Sequence, residues 1–174
     1  LRSEYDPRKA QESRVLTELI LSRDPNAVHH PGRLVWPLPP DTRRTSLFGD
    51  RRTYLYSDGE RARSIHVGLD LAAPVGTPIA SVGRGVVRMA RDRIVTGKTV
   101  VIELLPGIYC LYYHLDEIAV EEGDLVEPGA IVGTVGMTGL ATGPHLHWEF
   151  RIGGVSVSPE HVMERSLLLG ESGQ

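Results

Sequence analysis

Between residues 78 and 151 glycine and proline cut the chain into apolar-rich runs too short to build helices, at 78–82, 85–90, 99–105, 108–113, 131–135 and 145–151. Runs of this length, rich in Val, Ile, Leu and Tyr and bounded by turn residues, read as β-strands. Many short strands with few helices predict an all-β fold, a mostly antiparallel sheet or sandwich. The two ends read differently. Asp6-Pro7 is an N-cap and first-turn pair, and Val15, Leu16, Leu19 and Ile20 fall on one helical face, which predicts a helix over 7–21. Ser158-Pro159 opens a short C-terminal helix carrying Val162, Met163 and Leu167. A Pro-rich connector over 25–40 divides the chain into an N-terminal helix and linker (1–35), a main domain (36–165) and a tail (166–174).

Composition narrows the function classes. With 174 residues, 41% hydrophobic and 24% charged, the chain can bury a core of ordinary size. A net charge of −3 without a Lys/Arg block gives no footprint for nucleic acid. No stretch approaches the roughly 18–20 apolar residues of a membrane-spanning helix. The one cysteine, Cys110, lies in an alternating strand and reads as a packing residue. The sequence begins at Leu1 without methionine or a signal-like segment and reads as a processed or excised fragment.

The chemistry-bearing residues concentrate in three places. His145-Leu146-His147 enters a strand through a Gly-Pro corner, and on a strand residues i and i+2 share a face, so both imidazoles meet one site. Taken alone, such a pair is more often solvent-facing or hydrogen-bonded than a metal site. Upstream, His66 and Asp70 offer an imidazole and a carboxylate, both suited to Zn²⁺. Fully extended they would stand about 13 Å apart at roughly 3.3 Å per residue, so the backbone must bend between them, and Gly68 is the residue free to do so. The plainer alternative is a solvated His66 and an Asp70 that caps a turn. His114 closes the aromatic run 108–113, where a ring hydrogen-bonded to a backbone carbonyl is the ordinary reading. His29, His30 and His161 fit no such pattern and read as solvated or capping, although His29 and His30 sit in a Pro-flanked stretch able to fold across a cleft.

Taken together, His66-x-x-x-Asp70 with Leu71-Ala72-Ala73-Pro74-Val75-Gly76-Thr77-Pro78, then Tyr112-Tyr113-His114-Leu115, then Gly143-Pro144-His145-Leu146-His147-Trp148-Glu149 resembles the lysostaphin-type (LytM-like) zinc metalloendopeptidases of peptidoglycan. The Ser46-Leu47-Phe48-Gly49-Asp50-Arg51-Arg52 stretch is similar to the opening motif of that family, and the resemblance runs from about Trp36 to about Met163. It implies a duplicated-hybrid-motif-like sheet with the metal in a groove. It also implies one Zn²⁺ per chain on His66, Asp70 and His147, with His114 and His145 off the metal and serving catalysis. Two neutral imidazoles and a carboxylate would leave the centre a Lewis acid able to acidify water and polarise a scissile carbonyl. Which of His114 and His145 is the base stays open. Glu149, on the strand face of His145 and His147, is a rival base, placed second because it is better sited to orient an imidazole.

The function implied is a zinc-dependent endopeptidase hydrolysing peptide stems or cross-bridges of bacterial peptidoglycan in the cell envelope, as a monomer. The alternative is a non-catalytic cell-wall binding or amidase-activator module on the same fold. The complete set of His66, Asp70, His114, His145 and His147 favours the enzyme. The 122–133 stretch also looks like a biotinyl or lipoyl carrier hairpin, but no lysine follows Lys98 to serve as a swinging arm. Two segments depart from the family pattern. The 43–63 region is long and charged, and its 54–61 run is expected to wall the groove, where it could recognise an amine or carboxylate of a peptide stem. The 91–98 segment lacks the family's Gly-x-Gly-Asn turn.

Overall fold

The computed structural model describes residues 7–22, 32–55 and 59–165. Helix α1 spans Pro7–Leu21, and strands β1 (Arg44–Ser46), β2 (Arg51–Leu55), β3 (Arg61–Ile65) and β4 (Leu69–Leu71) follow the connector. Next come β5 (Pro78–Ala80), β6 (Gly85–Arg91), β7 (Lys98–Leu105) and β8 (Ile108–Ile118). The chain continues with β9 (Leu125–Val126), β10 (Ile131–Val135), β11 (Leu146–Ile152), β12 (Val155–Val157) and α2 (Pro159–Arg165). Ten strands form one antiparallel sheet with the path β1-β4-β11-β8-β7-β6-β9, while β10 pairs with both β5 and β8 and β12 pairs with β11. β2 and β3 form a hairpin of their own. The all-β, mostly antiparallel expectation and both terminal helices are therefore present.

The central strands are buried on both faces, which explains why their sequences run apolar rather than alternating. One face joins Leu69, Leu71, Val100, Ile102, Tyr112, Leu146, Trp148 and Phe150. On the other, Met89, Val101, Tyr109, Leu111 and Tyr113 pack against Leu16 and Ile20 of α1. Of the four apolar residues expected to share one helical face, Val15 is exposed, so the contact stripe narrows to Leu16 and Ile20 with Leu19 beside them. The described part of the connector is stitched into the domain. Leu34 and Leu38 are buried in the core, and Trp36 meets Trp148 edge-on at 5.6 Å. Val35 N–H donates to the Val82 carbonyl at 2.9 Å, and Ala80 N–H to the Pro37 carbonyl at 2.9 Å.

All six expected strands form. β8 runs five residues further than the aromatic run suggests, to Ile118, because it changes partner: it pairs with β11 as far as Tyr113 and with β10 from Leu115 onward. His114 occupies the switch and is, among the described residues, the one non-glycine with positive φ, +62°. A left-handed residue at an irregular point of a strand re-aims its side chain. Strands β1, β4, β9 and β12 are two or three residues long and escape a periodicity reading for that reason.

Candidate metal centre

Three strands and one hairpin base deliver the polar residues. Asp70 on β4 lies directly opposite His147 on the adjacent β11, so antiparallel register alone brings this pair together. On the other side of His147, Tyr113 of β8 is its partner in register and stacks on its ring, centroids 5.4 Å apart and planes 5° from parallel. His66 follows β3 and is held through its backbone: its N–H donates to the Asp50 carbonyl, and its carbonyl accepts from Gly49 N–H, each at 2.8 Å. The bend between His66 and Asp70 passes through Gly68, as the spacing requires. Its φ, however, lies outside the left-handed region; glycine is needed there for space. A Cβ would sit 2.6 Å from the Trp148 carbonyl oxygen and 2.7 Å from His147 Nε2.

The side chains converge on a point. His66 Nε2 lies 3.0 Å from Asp70 Oδ1 and 3.0 Å from His147 Nδ1, and His147 Nδ1 lies 2.7 Å from Asp70 Oδ1. Every one of the three has its other polar atom engaged outward. His66 Nδ1 donates to the Leu47 carbonyl at 2.8 Å, Arg52 donates to Asp70 Oδ2 at 2.9 Å, and His147 Nε2 donates to Glu149 Oε1 at 3.0 Å. Because a carbonyl and a carboxylate can only accept, both neutral rings must carry their proton on the outward nitrogen. The inward atoms are then three acceptors facing one another. One proton on His147 relieves part of that conflict; a cation relieves all of it. Two imidazole nitrogens and a carboxylate oxygen are a Zn²⁺ donor set, so these residues fit the metal.

Charge follows this arrangement. Burial opposes ionisation of Asp70, yet the adjoining His147 and His66 rings hold its carboxyl well below the usual range. Burial likewise opposes charge on His147, but Asp70 and Glu149 on its two nitrogens raise it to about 9. Glu149 is kept ionised by His147 and by Arg151, whose Nη2 lies 2.9 Å from Oε2.

The two remaining histidines flank the cluster. His145 precedes β11, in an isolated bridge with Gly136; its Nδ1 donates to the Gly143 carbonyl at 2.8 Å, and its Nε2 stands 3.8 Å from Asp70 Oδ1. His114 Nδ1 donates to the Thr138 carbonyl at 2.8 Å, and its ring centroid lies 4.9 Å from that of His145. Both rings thus keep Nε2 as a bare acceptor. Burial is the chief influence on His114 and pushes its pKa down to about 4.

All five predicted residues, His66, Asp70, His114, His145 and His147, come together. Glu149 is at the back of His147 rather than beside the other imidazoles. Arg52 and the Leu47 carbonyl were missing from the sequence reading of the site. Both lie in the 46–52 motif, but nothing in their spacing says that they reach Asp70 and His66. His161 is exposed, its N–H directed at Ser158 Oγ, while His29 and His30 lie outside the described residues. Of the 54–61 run, residues 56–58 are also outside them. The hairpin rises from His66 and carries exposed Arg51, Arg61 and Arg63. Cys110 is buried under the Trp148 indole, its thiol pushed up to about 12 by burial, which agrees with a packing role.

Residues 64–159 match Peptidase family M23. Among curated proteins, the chain is 39% identical over 125 residues to the peptidoglycan DD-endopeptidase ShyC of Vibrio cholerae, covering 71% of this chain and 28% of that one. Among solved structures, one from Pseudomonas aeruginosa assigned to peptidase M23 superposes with a TM-score of 0.75 at 30% identity, over 90% of this chain and 61% of the other. A zinc-containing peptidase from Vibrio cholerae superposes with a TM-score of 0.66 at 33% identity, over 74% and 39%. The chain spans about a quarter to a third of the length of the curated relatives it matches. The matched segment is more than half of the chain and holds His66, Asp70, His114, His145 and His147 on the strands and turns just described, and the chain therefore belongs to peptidase family M23.

Proposed function

We propose that this chain is the catalytic unit of a Zn²⁺-dependent endopeptidase that hydrolyses the peptide stems or cross-bridges of bacterial peptidoglycan, and so works in the cell envelope. The observation that carries the reading is the set of three inward acceptors on His66, Asp70 and His147, each braced from behind. Backing partners of this kind orient ligands and raise their basicity. The substrate class rests on the similarity to ShyC, a peptidoglycan DD-endopeptidase.

Zn²⁺ bound by these residues would supply Lewis acidity, polarising a scissile carbonyl and acidifying water. The chain's own groups account for the rest. His114 and His145 each donate from Nδ1 to a backbone carbonyl, which fixes the tautomer and leaves Nε2 ready to take or hold a proton. Burial keeps the His114 ring neutral down to about pH 4, so its Nε2 remains an acceptor across the physiological range. Nothing is missing from the residue set, so no observation favours the binding or activator reading.

The test is to incubate zinc-loaded protein and its His145→Ala variant with intact peptidoglycan and to resolve the soluble products by mass spectrometry. Cross-link or stem cleavage products from wild type, reduced by roughly 10²–10⁴ in the variant, are expected. Absence of products from wild type with zinc confirmed in the protein would sink the peptidase reading.

A further inference from the structure

The turn 93–97, within the 91–98 segment, is held from two sides. On one side is α1, outside the matched region 64–159. Ile94 N–H donates to Glu12 Oε2 at 3.0 Å, and the buried Arg93 guanidinium donates to the Glu12 carbonyl at 3.1 Å. Arg93 also reaches Thr96 Oγ1 at 3.2 Å, and its backbone N–H closes the turn on the Gly97 carbonyl at 3.0 Å.

On the other side is His114. Its backbone N–H donates to the Thr96 carbonyl at 2.8 Å, and its φ of +62°, strained for a residue with a side chain, needs such an external hold. The same turn fixes the loop that orients the ring. Leu140 N–H donates to the Val95 carbonyl and Lys98 N–H to Thr138 Oγ1, both at 2.9 Å, and the Thr138 carbonyl accepts His114 Nδ1. Gly97 is pressed so closely on Thr138 that a Cβ would lie 2.2 Å from Oγ1, so the turn and the loop move as one body.

We propose that Glu12 is a positioning residue: its carboxylate locks the 93–97 turn, which sets both the backbone and the ring of His114, so that α1 is part of the working enzyme. The inference rests on the catalytic role of His114 proposed above. It concerns an element on the face of the sheet that carries the Met89, Val101 and Leu111 cluster, and it assigns α1 a supporting rather than a blocking role.

The experiment compares zinc-loaded wild type, Glu12→Ala and Glu12→Gln in the full chain, measuring kcat, KM, zinc content and the His114 Nδ1–H proton resonance. Glu12→Gln keeps an oxygen for the Ile94 N–H. Expected is a roughly ten- to hundredfold loss of kcat in Glu12→Ala with KM and zinc content unchanged, a shifted His114 resonance, and recovery of both in Glu12→Gln. Wild-type kcat and an unmoved resonance in Glu12→Ala would overturn the proposal. So would loss of zinc together with kcat in both variants, which would mean general structural damage. If wild type itself yields no cleavage products, the peptidase reading falls, and the His114 resonance alone still decides whether Glu12 positions that ring.

Discussion

At the scale of single residues, the centre is a problem in acceptor geometry solved by backing groups. Leu47, Arg52 and Glu149 each occupy the outward atom of one of His66, Asp70 and His147, so the inward atoms have no tautomeric freedom left to pair among themselves. Space is equally determined, most tightly at Gly68. Gly68→Ala places a Cβ against the Trp148 carbonyl and against the His147 ring, which must shift out of the position that sets Nδ1 against Asp70 and His66. Zinc affinity is expected to fall by roughly 10–100-fold in that variant, as for loss of a ligand's backing partner, measured by competition with a chromophoric chelator. Unchanged affinity would show that the ring is not held by this contact. His114→Ala and His145→Ala, in contrast, are expected to retain one zinc per chain while turnover drops by about 10²–10⁴. Near-wild-type turnover in either would remove that ring from the chemistry. That His66, Asp70, His114, His145 and His147 belong together was legible because the motif puts chemically distinctive side chains at fixed spacings. Arg52 was not, because its reach to Asp70 depends on where the β2–β3 hairpin leaves the sheet, which no local pattern encodes.

At the scale of elements, antiparallel pairing does most of the positioning. Asp70, His147 and Tyr113 are neighbours across β4, β11 and β8, so a one-residue slip of β11 would turn His147 to the opposite face. That register is set by Leu146, Trp148 and Phe150 locked into the core on the face opposite to His147 and Glu149. Helix α1 protects the other face of β7 and β8. Leu16→Ala removes a buried side chain from the cluster that includes Met89, Val101 and Leu111 and is expected to cost about 2–5 kcal/mol in denaturant unfolding. A cost within about 0.5 kcal/mol, the level of ordinary surface changes, would mean that the helix is only loosely docked. The long, periodic or strongly apolar elements were readable: α1, α2 and the six longer runs. The two- and three-residue strands β1, β4, β9 and β12 were not, nor was the docking of Leu34 and Leu38, since a Pro-rich stretch reads as a linker whether or not its leucines find a core.

At the scale of the whole molecule, the buried His114 and the partly buried His147 tie folding stability to protons and to metal. In metal-free protein His147 has its pKa raised to about 9, so its contribution is fully present below its ordinary value of 6.5 and is lost as pH rises through about 9. His114 has the opposite sign. Unfolded chains bind its proton near 6.5 whereas the folded chain resists until about 4, so stability declines as pH falls between those values. Metal-free protein is therefore expected to show a thermal midpoint that falls on both sides of a maximum near neutrality. Saturating zinc should raise the midpoint and flatten the alkaline side, because the metal takes the place of the His147 proton. A metal-free midpoint that holds steady up to pH 10 would contradict the assignment of that proton. Since the chain covers only a part of the curated relatives it matches, these measurements describe the behaviour of this unit by itself.

The central claim is that His66, Asp70 and His147 jointly hold a single zinc ion. The most direct test is to strip the protein of metal, titrate it with zinc, and count bound ions by elemental analysis in wild type and in His147→Ala. One tightly bound zinc per wild-type chain, and none retained by His147→Ala under the same competing chelator, is the predicted result. Stoichiometric, equally tight zinc in His147→Ala would contradict the account, because the ion would then sit on a set of residues other than the one built by β4, β11 and the base of the hairpin.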